Sequence, residues 1–425
     1  MIASARPLPL ALYAAAAGLL EPLAPSLLRR RARRGKEDVA RLSERLGRAA
    51  LARPAGPLVW LHGVSVGESL SLLPLVAALR ARRPDLALLV TSGTVTSAEV
   101  LARRLPPGVI HQFAPVDGPA AVGRFLDHWR PDVGLQVESE LWPNLILGAK
   151  ARGVRLALLS ARMTEASALG WARAPASARA VLGAFDLVLA QDEATEGRLR
   201  RLGARPGPRL NLKLVGDPPP FDAAELGRLR AATCGRKVVL AASTHPGEEP
   251  IIAQAFRESS ADGALLVVAP RHPDRGPAVA ANLTGAGFRV GRRSLREAIA
   301  PQTDAYVVDT LGELGLFLRL AHVAVMGGSL VEGIGGHNPL EPARLGVPIV
   351  TGPHVFNARD VYDEMFAEAA AIEAADPPAL ARHLRGLLEQ PTIARRVGEA
   401  ALSYAERQGA ALEAALKLID PLLPA

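Results

Sequence analysis

Acidic side chains placed directly after apolar runs are the first residues in this sequence that could do chemistry. Glu68 follows a glycine in WLHGVSVGES (60–69), and Glu138 and Glu140 close DVGLQVESE (132–140). A carboxylate at a strand end can take a proton from a substrate hydroxyl. In the first turn of a helix it can also do no more than complement the helix dipole. Glu68 is open to both readings. A carboxylate pair just past an apolar strand, as at Glu138 and Glu140, is an odd structural choice and points to function. Arg271 in PRHPDR (270–275) suits a phosphate, or is a solvated loop residue. TSGTVT (91–96) reads as a hydroxyl-capped helix entry or as an anion cradle. Asn338-Pro339-Leu340-Glu341 has the residue types of a capping box, with proline at the first helical position, and reads as readily as a ribose-binding stretch.

Short, nearly continuous apolar runs must position these groups. They fall at 58–62, 86–91, 109–114, 132–138, 154–160 and 187–191, and again at 237–243, 264–270, 305–310, 322–328 and 347–352. Amphipathic stretches separate them, the pattern of parallel strands covered by helices on both faces. The proline- and glycine-rich ARPGPRLNLKLVGDPPP (204–220) interrupts the alternation and reads as a linker. The prediction is an α/β chain with two doubly wound, Rossmann-like domains. Residues 1–36 form a membrane-associated segment, 37–205 the first domain, 206–220 a linker and 221–425 the second domain, its last helix able to pack back on the first. Doubly wound sheets take ligands at the carboxyl ends of their strands, where the strand order reverses. The polar clusters all follow strands: His62–Glu68, Thr91–Thr96, Glu138–Asn144, Ser160–Thr164, Ser243–Glu249, Pro270–Arg275, Asp309–Glu313, Gly327–Ser329 and His337–Glu341. Such clustering predicts a catalytic cleft between two facing domains.

Bulk composition narrows the partners. The chain has 425 residues and a net charge of +8, with a pI near 10.2, which favours anionic partners. Aromatic residues make up 4% and do not interleave with basic runs, so nucleic acid is disfavoured against small anions and lipid headgroups. The single cysteine, Cys234, excludes an internal disulfide and fits a reducing compartment. The histidines show no metal-ligand spacing, and no metal is expected. Neither GxGxxG after the first strand nor a Walker loop is present, against a dinucleotide or P-loop reading. PLPLALYAAAAGLL (7–20) is short of the roughly 20 residues that span hydrocarbon. An interfacial or short signal-anchor helix, a cleaved signal peptide and a buried helix are all weighed for it. The arginines of LRRRARRGK (28–36) follow the apolar run, which favours an anchor or interfacial helix with the rest of the chain on the cytoplasmic side.

HGVSVGE (62–68), ESELWPN (138–144), APRHPDR (269–275), DTLGEL (309–314) and GGSLVEGIGGHNPLEPA (327–343) closely resemble the 3-deoxy-D-manno-octulosonic acid (Kdo) transferases. ERLGR (44–48) and the apolar start are similar too. The resemblance implies the GT-B arrangement and inverting, metal-independent transfer of Kdo from CMP-Kdo to a lipid A precursor, lipid IVA, in lipopolysaccharide synthesis. No cofactor beyond the donor is implied, and the place is the cytoplasmic side of a bacterial inner membrane, against its anionic surface. It implies Glu68 as general base and Glu138 and Lys213 as transition-state stabilisers. Pro270, Arg271, Leu311, Gly312, Glu313, Asn338, Pro339, Leu340 and Glu341 are implied to hold CMP. Lys213, Arg271 and the amide-rich helix starts after 243 and 338 are then expected to stabilise the phosphate. Two stretches depart from the family pattern. Leu210 stands where glycine is usual in LNLKLVGD, with no aspartate directly after Leu214, and SARMTEAS (160–167) lacks a second arginine. A UDP-sugar transferase or epimerase on the same scaffold is the alternative. A non-catalytic basic membrane-peripheral protein is another, but it leaves the strand-end clusters unexplained.

Overall fold

A computed structural model of the chain describes residues 6–138, 141–233, 235–259 and 263–424. Ser139, Glu140 and Cys234 therefore lie outside the described residues. The chain divides into two units: residues 1–216 with 408–425, and residues 217–407.

The first unit holds β1 (Leu58–His62), β2 (Ala87–Ser92), β3 (Ile110–Phe113), β4 (Val133–Val137), β5 (Arg155–Ala161) and β6 (Leu187–Ala190). They lie in the order β3-β2-β1-β4-β5-β6. β1 runs parallel to both neighbours, Val59 opposite Leu88 on one side and Val133 on the other. All five residues of β1 and of β4 are buried, as their continuous apolar runs require when helices cover both faces. Strand order reverses between β1 and β4, so the switch point of this sheet lies between Glu68 and Glu138.

The second unit holds β7 (Val238–Thr244), β8 (Leu265–Pro270), β9 (Val290–Arg292), β10 (Ala305–Val307), β11 (Val323–Met326), β12 (Ile349–Thr351) and β13 (Ile372–Glu373). The order is β13-β12-β11-β7-β8-β10-β9, every pair parallel. Here the order reverses between β7 and β11. Gly327, just past β11, is fixed by close approach: a Cβ there would meet the Ser243 carbonyl oxygen at 2.4 Å.

The expected linker needs correction. Gly207 and Leu210 donate backbone hydrogen bonds to Val188 and Ala190 beside β6, and Leu210 and Leu212 are buried in the core of the first unit. Apolar residues at alternate positions within LNLKL keep this stretch on the domain instead of in solvent, so the boundary falls at 216/217. The final helix, Pro391–Ile419, passes from the second unit into the first. Leu412, Leu416, Ile419 and Leu423 join Leu72, Leu75 and Leu79 in one cluster.

At the amino terminus, helices Leu8–Leu20 and Ala24–Ala32 flank a turn at Glu21–Leu23. Leu8–Ala32 is long and apolar enough to cross a membrane, and only Leu10 and Leu28 within it are buried. Polar contacts tie it to the first unit. Tyr13 donates to Asp117 at 2.9 Å, and Glu21 accepts from the Ala120 and Ala121 amides at 2.9 and 2.6 Å. That carboxylate thereby completes the start of helix Pro119–Trp129, whose first amides lack partners within the helix.

Candidate active site

Glu68 occupies the third position of helix Val66–Arg82, with Ser65 as its N-cap. The Glu68 amide donates to Ser65 Oγ at 3.3 Å. The carboxylate reaches back, Oε2 accepting from the Val64 amide at 2.6 Å and Oε1 from Ser65 Oγ at 3.0 Å. The structural role is therefore real. It does not exhaust the group, because each carboxylate oxygen offers two lone pairs and the Ser65 hydroxyl can rotate away from Oε1. Gly63 explains how the turn closes: a Cβ there would lie 3.1 Å from both Glu68 Cβ and Val137 Cγ2.

Glu138 adopts φ +62, an unusual conformation for a side chain of this size. Such a conformation costs about 1–3 kcal/mol and collects at functional sites. Ser160 and Ser243, at the ends of β5 and β7, share it with φ +50 and +59. Ser160 Oγ accepts from the Leu212 amide at 3.3 Å and so anchors the turn Leu212–Leu214 that carries Lys213. Lys213 Nζ lies 2.7 Å from Glu138 Oε1. That is ion-pair distance, although the approach falls outside ordinary hydrogen-bond angles. The lysine stem crosses the helix start beside Glu68: a Cβ on Gly67 would sit 3.9 Å from Lys213 Cε. Glu68, Glu138 and Lys213 thus gather at the switch point of one sheet. Leu210 does not disturb them, since it is buried and is not among the residues with positive φ, so its position has no need of glycine.

In the second unit the expected nucleotide-holding residues follow three strands, β8, β10 and β11. Pro270 ends β8, and the exposed Arg271 donates its amide to the Thr244 carbonyl at 3.0 Å. Asn338 Oδ1 accepts from the Leu340 amide at 3.0 Å, but the N-cap of the four-residue helix Leu340–Ala343 is Pro339, which has no side-chain cap bond, so the capping box read from the sequence does not form. Pro339 and Leu340 are buried beneath it. The surrounding protein raises the Glu341 carboxyl above its usual range against the pull of Arg344 and Arg271, although the residue is still open to solvent. Leu311 is 83% exposed and Gly312 has φ +81. Glu313 is held by Arg293, at 2.5 Å from Nη2 and 3.0 Å from Nε, and by Thr310 Oγ1. The Arg293 hydrogen bond keeps its carboxyl below the usual range. Gly312 and Glu313 line a cavity of about 690 Å³ with Arg293 and Glu225.

The helix starts expected to hold a phosphate need correction. Helix Glu248–Glu258 opens on two buried carboxylates. Glu248 Oε2 accepts from the His245 and Gly328 amides at 2.8 and 2.7 Å, and Oε1 from the Ser329 and Leu330 amides, both at 2.9 Å. The glycine-loop amides are thus committed to a protein carboxylate, and the start after 338 is a single turn. A second carboxylate, Glu249, pairs with Arg275 at 2.8 Å. Two histidines were passed over in the sequence: His245 and His337 bring their Nε2 atoms within 2.9 Å. Both stood in quoted clusters, yet 92 residues apart, with no spacing to connect them. Among the described residues, no group of three or more His, Cys, Asp or Glu side chains is placed to hold a metal ion.

The sequence pattern of the 3-deoxy-D-manno-octulosonic-acid transferases (kdotransferases) matches residues 40–215, which include Glu68, Glu138 and Lys213. A 3-deoxy-D-manno-octulosonic acid transferase of Bordetella pertussis is 34% identical over 95% of this chain and 97% of its own. One from Rickettsia bellii is 32% identical over 92% of this chain and 94% of its own. The chain belongs to the Kdo transferase family. As a Kdo transferase it is a glycosyltransferase that transfers a Kdo sugar in lipopolysaccharide synthesis. Its fold is shared more widely. A glycosyltransferase from Rickettsia africae superposes with a TM-score of 0.57 at 10% identity, covering 87% of this chain and 99% of that one. A UDP-GlcNAc 2-epimerase from Neisseria meningitidis gives 0.57 at 11% identity, covering 85% and 99%.

Proposed function

We propose that this Kdo transferase takes Kdo from CMP-Kdo, passes it to a hydroxyl of a lipid A precursor with inversion, and works from the cytoplasmic face of the inner membrane. The observation that carries the reading is the gathering of Glu68, Glu138 and Lys213 at the switch point of the first sheet, in a chain of this family. An acceptor hydroxyl is a weak nucleophile at neutral pH. Glu68 Oε1 takes its proton as the oxygen attacks the anomeric carbon. The bond from that carbon to the CMP phosphate breaks, and its electron pair leaves on the phosphate oxygen. Positive charge grows on the sugar meanwhile, and Glu138 faces it with a carboxylate whose own charge Lys213 partly offsets. Arg271 and the groups around it take the phosphate in the second unit. Every proton and charge in this scheme is handled by side chains, so no metal is invoked.

Donor choice is tested by thermal unfolding. CMP is expected to raise the melting temperature, by the linkage that follows binding to the folded state alone, about 2.7 kcal/mol at a hundredfold excess over Kd. Protection by UDP without protection by CMP would favour a UDP-sugar enzyme instead. Incubation with CMP-Kdo and a tetraacylated lipid A precursor, read by product mass, is expected to show at least one added Kdo.

The amino-terminal helices fit an in-plane membrane contact better than a span. Leu8, Leu19, Leu20, Leu23 and Leu27 are 58% exposed or more, and Arg29, Arg30, Arg33 and Arg34 stand exposed just after them. The Tyr13–Asp117 and Glu21–Ala121 contacts would be broken if this segment left the domain to cross the bilayer. Replacing Arg30, Arg33 and Arg34 by glutamine is expected to weaken binding to anionic vesicles, each arginine contributing about 1 kcal/mol near such a surface. Flotation at rising salt checks it: wild-type binding should fall steeply with salt and the variant's only weakly. Equal binding at low salt would reject the contact.

A further inference from the structure

His245 follows β7 and His337 follows β11, the two strands between which the order of the second sheet reverses. Their Nε2 atoms are 2.9 Å apart with rings inclined by 16°. At that distance one nitrogen must donate and the other accept, so the neutral pair shares a single N–H···N bond. The donor ring still has a bare Nδ1. One proton can therefore be added there without disturbing the shared bond. A second would set two N–H groups head to head.

The surroundings decide what this pair is suited to meet. Glu248 holds the His245 amide at 2.8 Å and its charge favours a protonated ring. Arg271, His272 and Arg275 oppose protonation of His245, and Arg275 is itself paired with Glu249. His337 faces His245 and Arg271, and Tyr362 donates to its backbone carbonyl at 2.9 Å. Glu341 also lies within the field of Arg271. Burial, assisted by these cations, lowers His245 and pushes His337 down to about 4, which favours the neutral form of both rings. The loop amides of Gly328, Ser329 and Leu330 are taken by Glu248 and so are not free for an anion. Side chains must supply the seat.

We propose that His245 and His337, beside Arg271, form a phosphate seat that takes up one proton from solvent as the phosphate of the departing nucleotide becomes a dianion. The inference rests on the CMP-Kdo reading above. The donor's phosphodiester carries one negative charge, and breaking the bond to the sugar leaves a phosphate monoester with two. An anion beside an imidazole favours its charged form, so the pKa of the pair rises on occupation and the bound state holds more protons than the empty one. Nucleotide affinity then increases as pH falls towards the pKa of the occupied pair.

Calorimetric titration of the full chain with CMP, at pH about 7.5 in buffers of different ionisation enthalpy, counts the protons. At that pH the second phosphate ionisation, near 6, is nearly complete and contributes little. Wild-type protein is expected to take up a substantial fraction of a proton, at most about one. His245→Asn and His337→Asn are each expected to reduce the uptake and weaken CMP about tenfold or more, the effect of losing a hydrogen bond to a charged group. Cytidine, which lacks the phosphate, should show no uptake with any of the three proteins. A variant that only loosened the fold would weaken cytidine and CMP alike. If CMP binds and both variants take up as many protons as wild type, the seat is overturned while the donor reading stands. If CMP does not bind the wild-type protein, both fall.

Discussion

Glu68→Gln is expected to lower the rate of Kdo transfer by about 10²–10⁴-fold while leaving the protein folded and able to bind CMP. The separation of these effects follows from the two roles of the carboxylate. Glutamine keeps one oxygen, which can still accept from the Val64 amide now bonded at 2.6 Å, so most of the cap survives. What it removes is the lone pair and negative charge that accept the proton of the attacking hydroxyl. Glu68→Ala removes both functions and should cost a further ~1 kcal/mol of stability, the usual worth of a cap. Comparing the two variants by single-turnover transfer and by melting assigns the carboxylate. A Gln variant that transfers Kdo within a fewfold of the wild-type rate would leave Glu68 as a helix cap and nothing else. The same measurement on Lys213→Met, which keeps the stem over Gly67 and deletes the ion pair with Glu138, would show how far the catalytic loss depends on the cluster.

The sequence was legible where local chemistry decides structure. Apolar runs such as LVWLH and LLVVAP announced buried strands because a parallel sheet covered on both faces allows little else. The polar residues that follow them announced the functional edge. β9 and β13 were missed because edge strands of three and two residues are too short to carry a pattern. The linker was misread because proline and glycine outweighed the alternation of LNLKL, and only tertiary packing shows Leu210 and Leu212 buried. In the site, Glu68 and Glu138 were legible as carboxylates out of place. The resemblance set Lys213 beside them, but the residues' own pattern did not show how they meet, since that depends on Ser160 anchoring a turn 52 residues away. The histidine pair was illegible for the same reason. The reach of Glu248 to the amides of Gly328, Ser329 and Leu330 was not legible either, since those residues lie 80 to 82 positions away in the chain.

Glu248→Ala is expected to unfold or loosen the second unit and to abolish nucleotide binding. The residue is fully buried, and its carboxylate accepts from four backbone amides across two loops. Deleting it leaves four donors without partners. Each unsatisfied buried group costs about 1–3 kcal/mol, so even with water admitted to the gap the loss should reach roughly 4 kcal/mol. That is a large share of the 5–15 kcal/mol typical of a domain. Glu248→Gln keeps the volume and one acceptor but turns an amide N–H₂ against two of the N–H donors, so it should fall between wild type and alanine. Urea unfolding followed by circular dichroism measures the order. A Glu248→Ala protein within about 1 kcal/mol of wild type would mean that solvent replaces the carboxylate, and the loop amides would then be free to receive phosphate. In that case cytidine and CMP affinities should diverge, because the freed amides would strengthen only the ligand that carries an anion.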